Sequence, residues 1–417
     1  MSRKLLWLGV APWAPTGYGD QARVFMPRIR DLGYDVAMSC MHGLEYMAVE
    51  WEGMHIFPRD YTGQNKIVLK EHVREFGAGD HVQVVTLFDI WPFVNLRYGG
   101  CVADFAGLDI ASWVPIDTLG VPPGSRDALD RFQIRPIAMS RHGETQLRDA
   151  GYDPLYVPHG IETAVMRPNE DRAACRGFMN LPEDAFVVGM VAHNAGVIPS
   201  RKAFPEALQA FRIFQADHDD AFLYLHTDVS GKMDPSGGLD LLAIANYLGI
   251  PQDRVAVVNQ ASYLRSGFSK QQMAGIYSGL DVLLNPSLGE GFGLPIVEAQ
   301  ACGTPVIVNN WTSMTELVGP GWLVGGQPWL NPVSGGIWSQ PDVIEIVAAL
   351  ELAYEARGDQ TLRDRAREFA MQYDADHVME TYWKPALEAL EKPREVPPLR
   401  PIGPNRAMRR AAGKVAA

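Results

Sequence analysis

The sequence predicts an α/β protein made of two doubly wound parallel-sheet domains, on three observations. Short apolar runs alternate with helical patterns along most of the chain, which is the order of parallel sheets with helices on both faces. The runs are continuously apolar, as strands buried on both sides must be. The alternation comes as two series, and 417 residues accommodate two domains.

In the first series Leu5–Val10 reads as a buried strand and Gln21–Leu32 as an amphipathic helix ended by Gly33. A signal peptide over the same start is disfavoured, because its apolar run is short and Pro12, Pro15 and Gly17 follow without a cleavage site. Val36–Cys40, Val82–Phe88, Ile110–Val114 and Ile134–Met139 read as further strands. Ser140 is a good N-cap, Gly151 stops the helix it opens, and Leu155–Val157 runs into Pro158-His159-Gly160. The polar stretch Thr163–Leu181 reads as the join between the domains.

The second series begins with strand Phe186–Ala192, helix Ala203–Ala216 and strand Ala221–His226. Helix Leu239–Leu248, strand Val255–Val258, helix Lys270–Ser278 and strand Asp281–Asn285 continue it, and helix Pro295–Ala301 and strand Pro305–Val308 end it. Helices Asp342–Ala356, Thr361–Gln372 and His377–Leu390 close the fold. The expected division is 1–162 and 163–373, with 374–391 a helix packing back toward the first domain and 392–417 a basic, Pro-rich tail.

Lys+Arg number 37 and Asp+Glu 49, a formal charge of −12 that disfavours non-specific nucleic-acid binding. The tail opposes this balance, with seven Lys/Arg and one Glu from Lys392 onward, and suits contact with an anionic partner. Cys40, Cys101, Cys175 and Cys302 show no C-x-x-C spacing, which argues against a zinc site or a disulfide framework and for a cytoplasmic setting. No run of 18 apolar residues is present.

The chemistry is written most clearly between Asn285 and Ile307. A strand ends at Asn285, a glycine-spaced loop follows, and a helix opens with Pro295 at its first position and closes at Gly303. Such a loop, at the carboxyl end of a parallel strand and the N-terminus of a helix, suits a diphosphate. Glu290 in the loop and Glu298 one turn into the helix can face one ligand, and carboxylates accept well from pairs of sugar hydroxyls.

The segment Gly289-Glu-Gly-Phe-Gly-Leu-Pro-x-x-Glu298-Ala-x-Ala-Cys-Gly-Thr-Pro-Val306, with Asp281–Ser287 before it and Thr315–Val318 after it, resembles the retaining, nucleotide-sugar-dependent enzymes of glycosyltransferase family 4. These have the GT-B fold, in which two Rossmann-like domains face a central cleft. The resemblance covers the second domain well and the first loosely. It implies that Glu298 holds the ribose hydroxyls and Glu290 the donor sugar, while the N–H groups of Phe292, Gly293 and Leu294 cradle sugar and phosphate oxygens, with Gly291 letting the backbone approach. Arg201 and Lys202 match the basic pair that clamps the diphosphate, and Asn194 stands where relatives often carry an arginine. Gly17 and Gly19 resemble the first-domain glycine loop that approaches donor or acceptor, and Asp117 lies near a position where many relatives have histidine. Glu290, Asp117, Arg201 and Lys202 are thus the expected catalytic set, with Glu298, Gly291, Phe292, Gly293, Leu294, Gly17, Gly19 and Asn194 as donor contacts.

Gly17, Gly19 and Ala22 also spell a dinucleotide fingerprint, but they lie too far from the strand, and no acid ends the next one. Asp89 follows a strand and shares the first-domain ligand edge with Asp117; His159 reads as hinge or ligand contact, and His226 as packed. Asp217-His-Asp219 and Asp374-Ala-Asp376 sit at helix ends, so no metal is expected. The expected activity is transfer of a sugar from a nucleotide-diphosphate sugar, the co-substrate, to an acceptor that is protein, glycan, lipid or nucleic acid. It proceeds with retention and without a cofactor. A GT-B epimerase or phosphorylase, or a non-catalytic sugar-nucleotide binder, is the alternative.

Overall fold

The computed structural model describes residues 3–97, 99–234, 237–265, 267–332 and 334–392; the basic tail from 393 onward lies outside the described residues. The first sheet contains β1 (Arg3–Val10), β2 (Tyr34–His42), β3 (Val49–Trp51), β4 (Met54–Phe57), β5 (Val82–Thr86), β6 (Asp109–Val114), β7 (Arg135–Ala138) and β8 (Leu155–Tyr156). Its order is β3-β4-β2-β1-β5-β6-β7-β8, parallel except for β3 against β4. The apolar N-terminal run is therefore a central strand, with Leu5, Leu6, Trp7 and Leu8 fully buried. Helices α1 (Gly17–Asp31), α2 (Leu69–Gly77), α3 (Pro123–Phe132) and α4 (Arg141–Asp149) connect these strands.

The second sheet contains β9 (Phe186–Val191), β10 (Ala221–His226), β11 (Val255–Val257), β12 (Val282–Asn285), β13 (Val306–Asn309) and β14 (Trp322–Val324), parallel throughout in the order β11-β10-β9-β12-β13-β14. Between β8 and β14 run α5 (Arg172–Phe178), α6 (Phe204–Gln215), α7 (Leu241–Leu248), α8 (Gln260–Arg265), α9 (Lys270–Gly279), α10 (Leu294–Ala301) and α11 (Met314–Leu317). A two-stranded hairpin, β15 (Gly326–Leu330) and β16 (Ile337–Pro341), follows. Last come α12 (Val343–Glu355), α13 (Gln360–Ala370), α14 (Ala375–Val378) and α15 (Lys384–Leu390).

Three departures from the sequence expectation have local causes. The first helix starts four residues early, at Gly17, because Thr16 caps it by accepting the Gly19 N–H at 3.0 Å. The polar join contains a helix, α5, whose Arg172 and Arg176 are polar for a purpose: they pair with Asp281 at 3.0 and 2.7 Å. The last helix is not continuous, since a π turn at Met379–Trp383 separates α14 from α15.

One apolar cluster runs through both domains, from Leu5, Phe25 and Trp113 to Tyr277, Phe292 and Trp383. The closing segment is part of it. The Trp383 ring lies 4.8 Å from Trp113 and 6.0 Å from Trp7, Arg28 pairs with Asp376 at 2.8 Å, and Arg135 donates to the Ala389 carbonyl at 2.7 Å. Among the described residues no helix is long and apolar enough to cross a membrane.

Candidate active site

Each sheet reverses its winding once, between β1 and β5 and between β9 and β12. At such a point the loops leave in opposite directions and open a crevice at the carboxyl ends of the strands. The elements following these four strands carry Tyr18 and Asp20 after β1, Asp89 after β5, Arg201 and Lys202 after β9, and Glu290 after β12.

Glu290 is buried and binds both cations: Lys202 Nζ contacts Oε1, and Arg201 Nη1 donates to Oε2 at 3.1 Å and to the Gly289 carbonyl at 2.8 Å. Burial opposes ionisation of Glu290, but Lys202 and Arg201 overcome it and hold the carboxyl down at about 2. Lys202 is lowered, because burial and the repulsion of Arg201 outweigh Glu290. Two cations against one carboxylate leave a local surplus of one positive charge. The loop is fixed from behind. Thr312 Oγ1 accepts the Glu290 N–H at 3.0 Å, and the single Ser313 hydroxyl proton lies between the carbonyls of Glu290 and Phe292, 2.9 and 2.6 Å from Oγ.

Opposite this cluster lie Asp89, Asp117 and Tyr18 of the first domain. Burial, then the neighbouring Asp117, push Asp89 up to about 6 against the pull of Arg201. Asp117 is raised by burial and Glu290, with Arg201 opposing. Tyr18 is raised strongly by burial and then Asp89, and its ring meets Phe88 edge-on at 6.0 Å. Beside them opens a cavity of about 350 Å³ lined by Val10, Tyr18, Met41, Arg59, Gln64 and Phe88.

Glu298, also buried, has other partners. Its Oε1 accepts from Lys270 Nζ at 2.6 Å and its Oε2 from the Tyr277 hydroxyl at 2.8 Å. Lys270 also pairs with Asp20 of the first domain. Lys270 and Tyr277 have no motif signal in the sequence; both lie on α9, whose residues meet α10 only when the domain folds. Tyr18 sits inside the Gly17-x-Gly19 pair that drew attention for its glycines instead.

The expected donor glycines lie in close packing. A Cβ on Gly19 would lie 2.6 Å from the carbonyl oxygens of Ala11 and Ala14, and one on Gly17 would lie 3.1 Å from Leu294 Cδ1. In the second-domain loop a Cβ on Gly291 would lie 2.6 Å from Pro115 Cβ, so this loop runs against the first domain. Gly293 has φ +113° and precedes α10, which starts at Leu294 and puts Pro295 second rather than first. In the first turn of that helix Pro295 carries no N–H, and the Ile296 N–H donates to the Gly293 carbonyl at 3.0 Å.

Asn194 is placed differently from the expectation. Its amide donates to the carbonyls of Asp228 and Leu239 at 2.8 and 2.7 Å, and its oxygen accepts the Leu239 N–H at 3.0 Å. Its side chain staples two loops of the second domain, with both amide hydrogens used there. The Phe292 ring stacks on His159 at 5.0 Å, and His159 packs on Trp113 at 4.5 Å. Burial drives His159 down to about 3, so it stays neutral between the domains. His226 packs against Tyr263 and Phe268. Asp374 caps α14 with its side chain.

Residues 193–350 match the family described as Glycosyl transferases group 1. A D-inositol 3-phosphate glycosyltransferase of Stackebrandtia nassauensis is 29% identical over 251 residues, 58% of this chain and 51% of that protein. O-antigen chain mannosyltransferase B of Escherichia coli is 28% identical over 178 residues, 38% of this chain and 46% of that protein. The chain thus spans about half the length, or less, of these curated relatives. Among solved structures, sucrose-phosphate synthase from Thermosynechococcus elongatus superposes with TM-score 0.66 at 19% identity, covering 93% of this chain and 100% of that one. Anabaena HepE, solved with UDP, gives 0.61 at 15% identity over 92% and 100%. The two facing parallel sheets thus share the GT-B fold of these glycosyltransferase structures, and the family match to glycosyl transferases group 1 falls on the second domain.

Proposed function

We propose that the chain transfers a sugar from a nucleoside-diphosphate sugar to an acceptor hydroxyl, with retention of configuration and without a metal or other cofactor. The observation that carries this reading is the meeting of the two switch points. It sets the surplus positive charge of Arg201, Lys202 and Glu290 opposite the carboxyls Asp89 and Asp117. Arg201, Lys202 and the start of α10 offer the diphosphate positive charge as the leaving group departs. Glu290 orients the transferring sugar, and Glu298 accepts from the ribose hydroxyls. The acceptor enters by the cavity beside Tyr18 and Phe88, where Asp89 and Asp117 receive its hydroxyl. Contact of the Gly291 loop with Pro115 excludes water along one side of the reacting centre. The four free cysteines suit a cytoplasmic site of action.

A thermal-shift and hydrolysis screen across UDP-, GDP- and ADP-sugars tests this reading, with UDP-glucose as first probe because HepE was also solved with it. Binding to the native state raises the melting temperature. A donor that raises it and is slowly hydrolysed supports transfer; a ligand bound but never turned over makes the protein a binding module.

A further inference from the structure

Lys270 occupies a position that local helix physics disfavours. It is the first residue of α9, directly after a capping box formed by Ser269 and Gln272. A cation there opposes the helix dipole by about 0.3–1 kcal/mol. The capping box also fixes its backbone. Burial works against the ammonium as well, yet Glu298 and then Asp20 hold it charged. The compensation lies entirely in those two carboxylates, which belong to different domains.

The Glu298 carboxylate has four acceptor sites, two on each oxygen. Lys270 takes one on Oε1 and the Tyr277 hydroxyl takes one on Oε2. One site therefore remains on each oxygen, and two adjacent acceptors on one rigid carboxylate suit a vicinal diol. The other side of the bridge is equally fixed. Arg23 donates to Asp20 at 2.8 and 3.2 Å and pairs with Glu162, at the crossing between the domains, at 2.8 Å. Glu162, Arg23, Asp20, Lys270 and Glu298 form one chain of charges from the crossing to the donor side of the cleft.

We propose that Lys270 is the positioning residue for the nucleotide's ribose, holding Glu298 as a two-acceptor fork and tying that fork, through Asp20, to the first domain. The proposal rests on the reading that Glu298 receives the ribose. Lys270 touches the carboxylate rather than the reacting atoms, so it sets donor affinity and ribose discrimination and leaves the chemical step nearly alone.

The test uses the full chain and whichever of UDP, GDP and ADP raises its melting temperature most, with the 2′-deoxy form of the same nucleotide. Calorimetry compares wild type with Glu298→Gln, Lys270→Met, Lys270→Gln, Lys270→Arg and Asp20→Asn. Lys270→Met is expected to weaken binding about tenfold, the loss of one charge-assisted contact, and to lose the preference for the ribo form. Donor KM should rise by a similar factor with kcat within about threefold. Lys270→Arg restores most of the preference, which a merely structural lysine would not require. Asp20→Asn keeps the preference, because Lys270 still holds Glu298, and leaves kcat within the same threefold. If Lys270→Met fails to fold, Lys270→Gln carries the same comparison. Loss of affinity and preference in Glu298→Gln, with both intact in the Lys270 variants, overturns the role of Lys270 and leaves the ribose reading standing. Unchanged affinity and preference in Glu298→Gln overturns the ribose reading itself.

Discussion

Glu290 and Glu298 belong to one motif and are buried alike, at 6% and 7% exposure, so burial does not distinguish them. Their partners do. Glu290 is flanked by two cations of its own domain, both from the segment before α6. Glu298 is held by a hydroxyl and a lysine from α9, and that lysine reaches across to Asp20. The first arrangement is two cations on one carboxylate, with positive charge to spare. The second is an oriented acceptor with its charge already matched. Two glutamates of one type and burial acquire different chemistry from the cations around them.

The sharpest way to break this comparison is Glu290→Gln. It leaves Arg201 and Lys202 without their carboxylate, so affinity for a nucleoside diphosphate is kept or increased. The sugar loses its orienting group, and kcat should fall about a hundredfold or more. Stability falls by less than the roughly 3–5 kcal/mol of a fully buried pair, since the Arg201 side chain is 36% exposed. Single-turnover kinetics beside nucleotide calorimetry measures both. Loss of nucleotide affinity in this variant would reverse the two assignments.

Glu298→Gln should come next, raising donor KM about ten- to a hundredfold through a lost contact of roughly 1.5–3 kcal/mol, with kcat little changed. Steady-state kinetics that showed a kcat defect alone would contradict it.

Gly291→Ala asks whether the loop depends on domain contact more than on ligand contact. Its Cβ would press Pro115, an overpacking cost of about 1–3 kcal/mol. Melting temperature and kcat should both drop while nucleotide affinity stays near wild type. The reverse pattern would return Gly291 to the ligand.

The smallest effect is on the pH profile. Asp89 is raised to about 6 by burial and by Asp117, so it is ionised above that value and takes up a proton as the pH falls through it. If Asp89 must be ionised to receive the acceptor hydroxyl, the rate halves near pH 6 and declines further below. Asp89→Asn should remove that acidic limb, and its persistence would assign the titration to another group.

The glycines show what the sequence leaves undivided. Gly17, Gly19 and Gly291 stand at strand–loop–helix junctions, where ligand approach and chain approach look identical in one dimension. In three dimensions Gly19 is pressed by the carbonyls of Ala11 and Ala14, and Gly291 by Pro115. Asn194 teaches the same lesson: a polar residue at the right offset from β9 spends its amide on Asp228 and Leu239. The helix α5 was hidden by its own arginines, which look like solvated linker until Asp281 appears beneath them.

What the sequence determined by itself is what short-range periodicity and loop chemistry carry. Apolar runs separated by helical patterns specify two parallel α/β sheets, because doubly buried strands must be apolar throughout. The spacing of Glu290, Pro295 and Glu298 specifies a loop feeding a helix, with one carboxylate in the loop and one in the helix. Arg201 and Lys202 are visible as a basic pair after a strand. Only the tertiary structure decided which cation serves which carboxylate. Lys270 lies 28 residues from Glu298 and in a different domain from Asp20, and nothing in local propensity links the three. Winding order brings α9 beside α10 and both domains to one cleft, and a side chain's partner is set by that topology, whereas its helix or strand is set by its immediate neighbours.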